Sequence, residues 1–278
     1  MQNTPVSENC ILVPINFSEQ SLIALGQSYN LAKLTKSKLV LLHILTEKSD
    51  PDVKNILQQR AEKVKSEAGV PVEIMIENGN VFKKILEVSK KIKPLFIVIG
   101  FNSNLGFDKI VGYNTFRLVR ESNFPIMTIR GKQHNNGCKN ILLPLDLTKE
   151  TREKVGKAIE IAKLFGSTIK VLSVFSSKQR SLENKLISYS HQVRNFIKEK
   201  GIGCTIKTIE GGDICGIVLD YAAKNDVDLI MIMTKEELSL KEIFIGTTAQ
   251  KLLNISTIPV MSIRPKERKD TTAFASPY

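Results

Sequence analysis

The side chains able to do chemistry are few and scattered. Four cysteines, Cys10, Cys138, Cys204 and Cys215, form no C-x-x-C pair, and the three histidines, His43, His134 and His191, do not cluster with them. That spacing suits neither a tetrahedral metal site nor a disulfide framework. The chain carries no G-x-x-x-x-G-K-S/T loop, no paired-carboxylate motif and no Ser-His-acid set that sequence can place. Conventional catalysis therefore has no residues to carry it, and no enzymatic activity is expected. What stands out instead is a polar residue closing each of two apolar runs. Asn16 follows Ile11-Leu12-Val13-Pro14-Ile15, and Asp146 follows Ile141-Leu142-Leu143-Pro144-Leu145. Both can accept hydrogen bonds, but only Asp146 carries a charge.

These two runs belong to a longer repetition. They lie 130 residues apart, Ile76-Glu77-Asn78-Gly79-Asn80 matches Ile209-Glu210-Gly211-Gly212-Asp213 at 133, and Phe124-Pro125-Ile126-Met127-Thr128-Ile129-Arg130 matches Ile258-Pro259-Val260-Met261-Ser262-Ile263-Arg264 at 134. A period this long indicates duplicated domains, since solenoid repeats run about 20–50 residues. A length of 278 residues agrees with two domains. The expected boundaries are 9–132 and 137–265, with a short polar linker containing Asn135-Asn136-Gly137 and a polar tail over 266–278.

Within each copy, short apolar runs alternate with helical periodicity. The first copy reads as strands at Ile11–Ile15, Leu39–Leu45, Val72–Ile76, Leu95–Ile99 and Ile126–Ile129. Its helices follow Ser18, a good N-cap, and cover Val53–Ala68, Val81–Lys91 and Asn114–Ser122. The second copy reads as strands at Ile141–Leu145, Ile169–Val174, Thr205–Ile209, Leu229–Ile232 and Val260–Ile263, with helices near Lys149–Leu164, Ser181–Lys200, Ile214–Lys224 and Thr247–Leu253. Nearly continuous apolar strands between helices imply an α/β fold, two parallel sheets each covered on both faces. In such sheets ligands bind beyond the carboxyl ends of the strands, where strand order reverses. That rule selects the loop after strand one, the loop after strand four and the next helix start.

Composition narrows the partners. The net charge of +12 divides evenly, each half carrying an excess of six basic residues. The Lys83, Lys84, Lys90, Lys91 and Lys93 cluster has the spacing of one solvated helix face, and it contains no aromatic residue. Nucleic-acid binding, which favours aromatics among the basic residues, is not expected. No apolar run reaches the roughly 18 residues of a membrane span. Residues Met1–Asn9 lack the basic and apolar regions of a secretory signal, so a cytoplasmic location and no membrane contact are expected.

The first-strand motif, the strand–helix count and the closing Pro125-Ile126-Met127 and Pro259-Val260-Met261 resemble universal stress protein domains over nearly the whole chain. The resemblance implies two tandem doubly wound parallel five-stranded sheets, an adenine nucleotide alpha hydrolase-like fold, paired with each other along their last strands and open to further dimerisation. Some members bind ATP and others bind no nucleotide, so ATP or AMP are the candidate ligands. Binding members carry an Asp ending strand one. After strand four they carry Gly, two residues, Gly, nine residues, then Gly with Ser or Thr. Such glycines let backbone N–H groups approach a polyphosphate at a helix N-terminus.

Laid on that pattern, the first copy keeps Gly100, has Ser103 for the second glycine, and has Gly112 one residue early, followed by Tyr113-Asn114; Asn16 replaces the Asp. The second copy keeps Asp146 and Gly246-Thr247-Thr248, but Met233 and Glu236 stand at the first two glycine positions, with Thr234 between them as a hydroxyl donor. Candidate nucleotide-binding residues are therefore Asp146, Thr234, Gly246, Thr247, Thr248, Asn16, Gly100 and Gly112, and no metal ligands are assigned. Three functions stay open: a stress-response binding or regulatory module with degraded nucleotide motifs, an adenine-nucleotide binder using the second copy, and a protein-interaction scaffold without a ligand.

Overall fold

Apolar runs that alternate their side chains between two covered faces become the strands of one sheet. In the computed structural model, residues 9–46, 51–101, 116–131, 137–147, 151–175, 183–236, 243–244 and 247–265 are described. The first half contains β1 (Cys10–Pro14), α1 (Glu19–Thr35), β2 (Lys38–Leu45), α2 (Val53–Ala68), β3 (Val72–Asn78), α3 (Val81–Ile92), β4 (Phe96–Gly100), a helical segment α4 over 116–121, and β5 (Ile126–Ile129). The second contains β6 (Asn140–Leu145), α5 (Thr151–Phe165), β7 (Thr168–Phe175), α6 (Glu183–Glu199), β8 (Cys204–Glu210), α7 (Ile214–Lys224) and β9 (Leu229–Met233). After these come a ribbon of β10 (Lys235–Glu236) and β11 (Ile243–Phe244), then α8 (Thr247–Ile255) and β12 (Val260–Ile263).

Local chemistry sets the helix ends. Ser18 caps α1 by accepting from the Ser21 N–H at 3.4 Å, and Asn80 caps α3 by accepting from Lys83 N–H at 3.1 Å. Gly69 closes α2 in the left-handed region at φ 64°, where a glycine has no Cβ penalty. Ser18 and the bounds of α2 agree with the sequence expectation. The β10–β11 ribbon was not expected: two-residue strands are too short to leave an alternation pattern.

Each half has strand order 3-2-1-4-5 by position, and the halves join through β5 and β12 into one ten-stranded sheet, β3-β2-β1-β4-β5-β12-β9-β6-β7-β8. Every pairing in that sheet is parallel except this junction, which is antiparallel and sets Thr128 against Val260, Met127 against Met261 and Ile126 against Ser262. The corresponding hydroxyls reach across it reciprocally. Thr128 Oγ1 donates to Val260 O at 3.1 Å, and Ser262 Oγ donates to Ile126 O at 3.2 Å. One sheet face packs under α1, α2, α5 and α6, with Ile11, Val13, Leu143 and Met261 in its core. The other packs under α3, α4, α7 and α8, with Leu12, Ile97, Leu142 and Val260. Both cores run through the junction, and Phe96 of β4 meets Phe165 of α5 edge to face at 5.8 Å between ring centres.

Candidate functional site

Strand order reverses in each half between the first and fourth strands, and there the ladder opens. β1 pairs with β2 from Cys10 to Pro14, but with β4 only at Ile11 and Leu12. β6 pairs with β7 from Asn140 to Leu145, but with β9 only at Ile141 and Leu142. The carboxyl ends of these strands therefore splay apart, forming a crevice of the kind that receives ligands in open α/β sheets.

In the first half the crevice is bounded by Asn16 and Gly100. Asn16 is exposed, and its Oδ1 accepts from the Ser18 N–H at 3.1 Å and the Ser18 hydroxyl at 2.6 Å. It thus forms an Asx-type turn that leads into α1. Gly100 ends β4, and a Cβ there would overlap the Gln20 carbonyl and the Ser21 nitrogen. The first turn of α1 lies directly over it. Gln20 also accepts from the Gly131 N–H at 3.2 Å, tying this turn to the end of β5. Beside the crevice, buried His43 faces Ile15 O through Nδ1 at 2.8 Å and lies under the Phe17 ring, while its Nε2 has no hydrogen-bond partner. Gly112 lies outside the described residues.

The second half differs at the same places. Register fixes the correspondence: Gly100 pairs with Ile129, and Met233 pairs with Ile263, the matching residue of the last strand. A buried methionine side chain thus stands where Gly100 has none. Thr234 is fully buried, its N–H donating to Ile263 O at 3.0 Å and its hydroxyl to the same oxygen at 3.4 Å. Glu236 lies in β10, paired antiparallel with Ile243. Asp146 is half-buried just beyond β6. Thr247 and Thr248 open α8, with Thr248 half-buried; Gly246 lies outside the described residues.

Sequence reading missed one charged residue in this crevice. Lys154 on α5 is 8% exposed, and its Nζ donates to Pro144 O at 2.5 Å, two residues before Asp146. Its signal was a basic residue inside an apolar helix face, beside Val155, Ala158 and Ala162, at the position that Ala24 holds in the first half.

The thiols take no part in either crevice. All four cysteines are buried. Burial raises the Cys138 thiol to about 12 and Cys204 to about 11, so both remain protonated and poorly nucleophilic near neutrality. Among the described residues no group of three His, Cys, Asp or Glu is placed to hold a metal ion, and no helix is long and apolar enough to cross a membrane.

Known structures share this architecture. A universal stress protein from Archaeoglobus fulgidus DSM 4304 matches with a TM-score of 0.72 at 19% identity, covering 92% of this chain and 98% of its own. A functionally unknown protein from Pseudomonas aeruginosa PAO1 matches with a TM-score of 0.70 at 22% identity, covering 93% of each chain. No curated protein matches the chain at a significant level. The model of the universal stress protein family matches twice, at residues 9–130 and 137–264. With both halves of the sheet accounted for in this way, the chain belongs to the universal stress protein family as a tandem of two such domains.

Proposed function

We propose that the chain is a non-catalytic, cytoplasmic binding or regulatory module that does not grip a nucleotide polyphosphate. The observation that carries this reading is the pair of blocked glycine positions. The bare face of Gly100 is taken by the first turn of α1, and its counterpart in the second half is the Met233 side chain. A polyphosphate cradle needs a turn whose backbone N–H groups converge on the ligand. Glu236, at the second glycine position, instead sits in an antiparallel ribbon. Isothermal titration with ATP, ADP and AMP tests the reading: weak or absent ATP binding is expected, and micromolar ATP binding would overturn it.

A second reading, adenine-nucleotide binding by the second half alone, draws support from Asp146 at the crevice mouth. An Asp there can accept hydrogen bonds from a ribose or adenine group. Under this reading Asp146→Ala abolishes the titration heat with AMP, and unchanged heat removes Asp146 from the site.

A further inference from the structure

We propose that the groove between α5 and α6 is a binding site for a small molecule built on one uncharged aromatic ring, of the class of simple phenols. Its walls are two helices rather than strand ends and glycine positions, so it stands whether or not a crevice takes a nucleotide.

The groove is a measurable space. Val155 of α5 and Tyr189, Gln192, Val193 and Phe196 of α6 line a half-open pocket of about 260 Å³. The four α6 residues are spaced i, i+3, i+4 and i+7, which puts them on one helix face. Val155 and Val193 are buried and form its floor, while Gln192 and Phe196 are exposed and stand at its rim. None of the five carries a charge, so the lining matches a neutral, apolar group with one amide at its edge.

Size and shape narrow the occupant. The pocket of about 260 Å³ exceeds the roughly 150 Å³ of an apolar cavity that admits benzene and falls short of the roughly 300–1,000 Å³ of drug-sized sites. One ring fits. Tyr189 and Phe196 are seven residues apart, roughly 10 Å along the helix axis. A ring seated between theirs would lie about 5 Å from each, the spacing at which aromatic pairs attract.

The first half of the chain shows what suits this place. Ser37 N–H donates to Ala32 O and Ser167 N–H to Ala162 O, which sets α1 and α5 in correspondence 130 residues apart. Gly26 and Gly156 recur at the same interval. Ile159 therefore stands at the position of Tyr29. Tyr29 packs its ring on the core and crosses to α2, where its hydroxyl hydrogen-bonds Glu67 with Arg60 nearby. A helical side chain covers the turn before its own Cα, so a tyrosine at 159 would lie at the level of Val155, in the pocket. Isoleucine is too short to cross. One copy thus fills its helix–helix groove with its own phenol ring, and the other leaves room for a phenol from outside.

The test is an NMR titration of the full chain with 4-methylphenol, which is the tyrosine side chain without its backbone. Binding of roughly millimolar strength is expected from so few contacts. The Val155 and Val193 methyl signals and the Tyr189 and Phe196 ring signals shift together, with cross-relaxation from the ligand methyl to the two valines. Ile159→Tyr, which carries the first-half residue into the second half, weakens binding tenfold or more. Phe196→Ala removes a wall from an exposed position and weakens it severalfold, which keeps the test available should Ile159→Tyr fail to fold. Unmoved valine methyls up to the solubility limit of the ligand overturn the proposal, as does binding that is unchanged in the variants. Equal shifts at Leu34 and Ile255, exposed apolar residues on α1 and α8, would reveal unspecific adsorption and overturn it too.

Discussion

At Gly100 the missing side chain is what allows the first turn of α1 to rest on the end of β4. The Gln20 carbonyl occupies the volume a Cβ would need, and a backbone group in a capped helix cannot step aside cheaply. Gly100→Ala should therefore destabilise the protein by about 1–3 kcal/mol, the usual cost of overpacking, read as a lower urea midpoint. A neutral outcome would mean that α1 shifts freely on the sheet. Glycine, threonine and asparagine are also the residue types that bind phosphate, so their identities alone could not separate ligand contact from packing. Asn16 and Thr234 show the same ambiguity, because their polar atoms engage Ser18 and Ile263 O. Lys154 was hidden for the opposite reason. On a periodicity plot it is one basic residue in a helix, and only the sheet beneath reveals that it points inward.

Among the elements, the strands were the most legible because both of their faces are buried. Ile126–Ile129 and Val260–Ile263 were placed to the residue, as was the helix Ile214–Lys224. The other strands differ from the expectation by one or two residues at one or both ends, where polar neighbours such as Asn140 and Glu210 continue a ladder that apolar patterning does not mark. The pairing of β5 with β12 was implied only by family resemblance, since no local sequence signal names a partner 134 residues away. Its two reciprocal hydroxyls give a symmetric test. Thr128→Val and Ser262→Ala each remove one side-chain hydrogen bond across the junction and should cost about 0.5–1.5 kcal/mol apiece. Chemical denaturation of the two variants should give similar losses; a large loss from one alone would break the equivalence of the two strands.

For the molecule as a whole, two continuous cores each run across both halves. Phe96 is fully buried and packs its ring against Phe165 of the other half. Phe96→Ala should cost about 3–5 kcal/mol and reduce hydrogen-exchange protection in α5 as well as in β4. Exchange in α5 that stays at wild-type levels would show two independent domains. The same antiparallel junction has a geometric result. With β5 and β12 running in opposite directions, the strands of one half end where those of the other begin, so the two crevices open at opposite poles of the sheet. A two-headed ligand could not close back on one molecule and would string molecules end to end. Because both poles belong to a single polypeptide, each also changes alone, as Ala24 and Lys154 already have; in a dimer of identical chains every substitution would strike both poles at once.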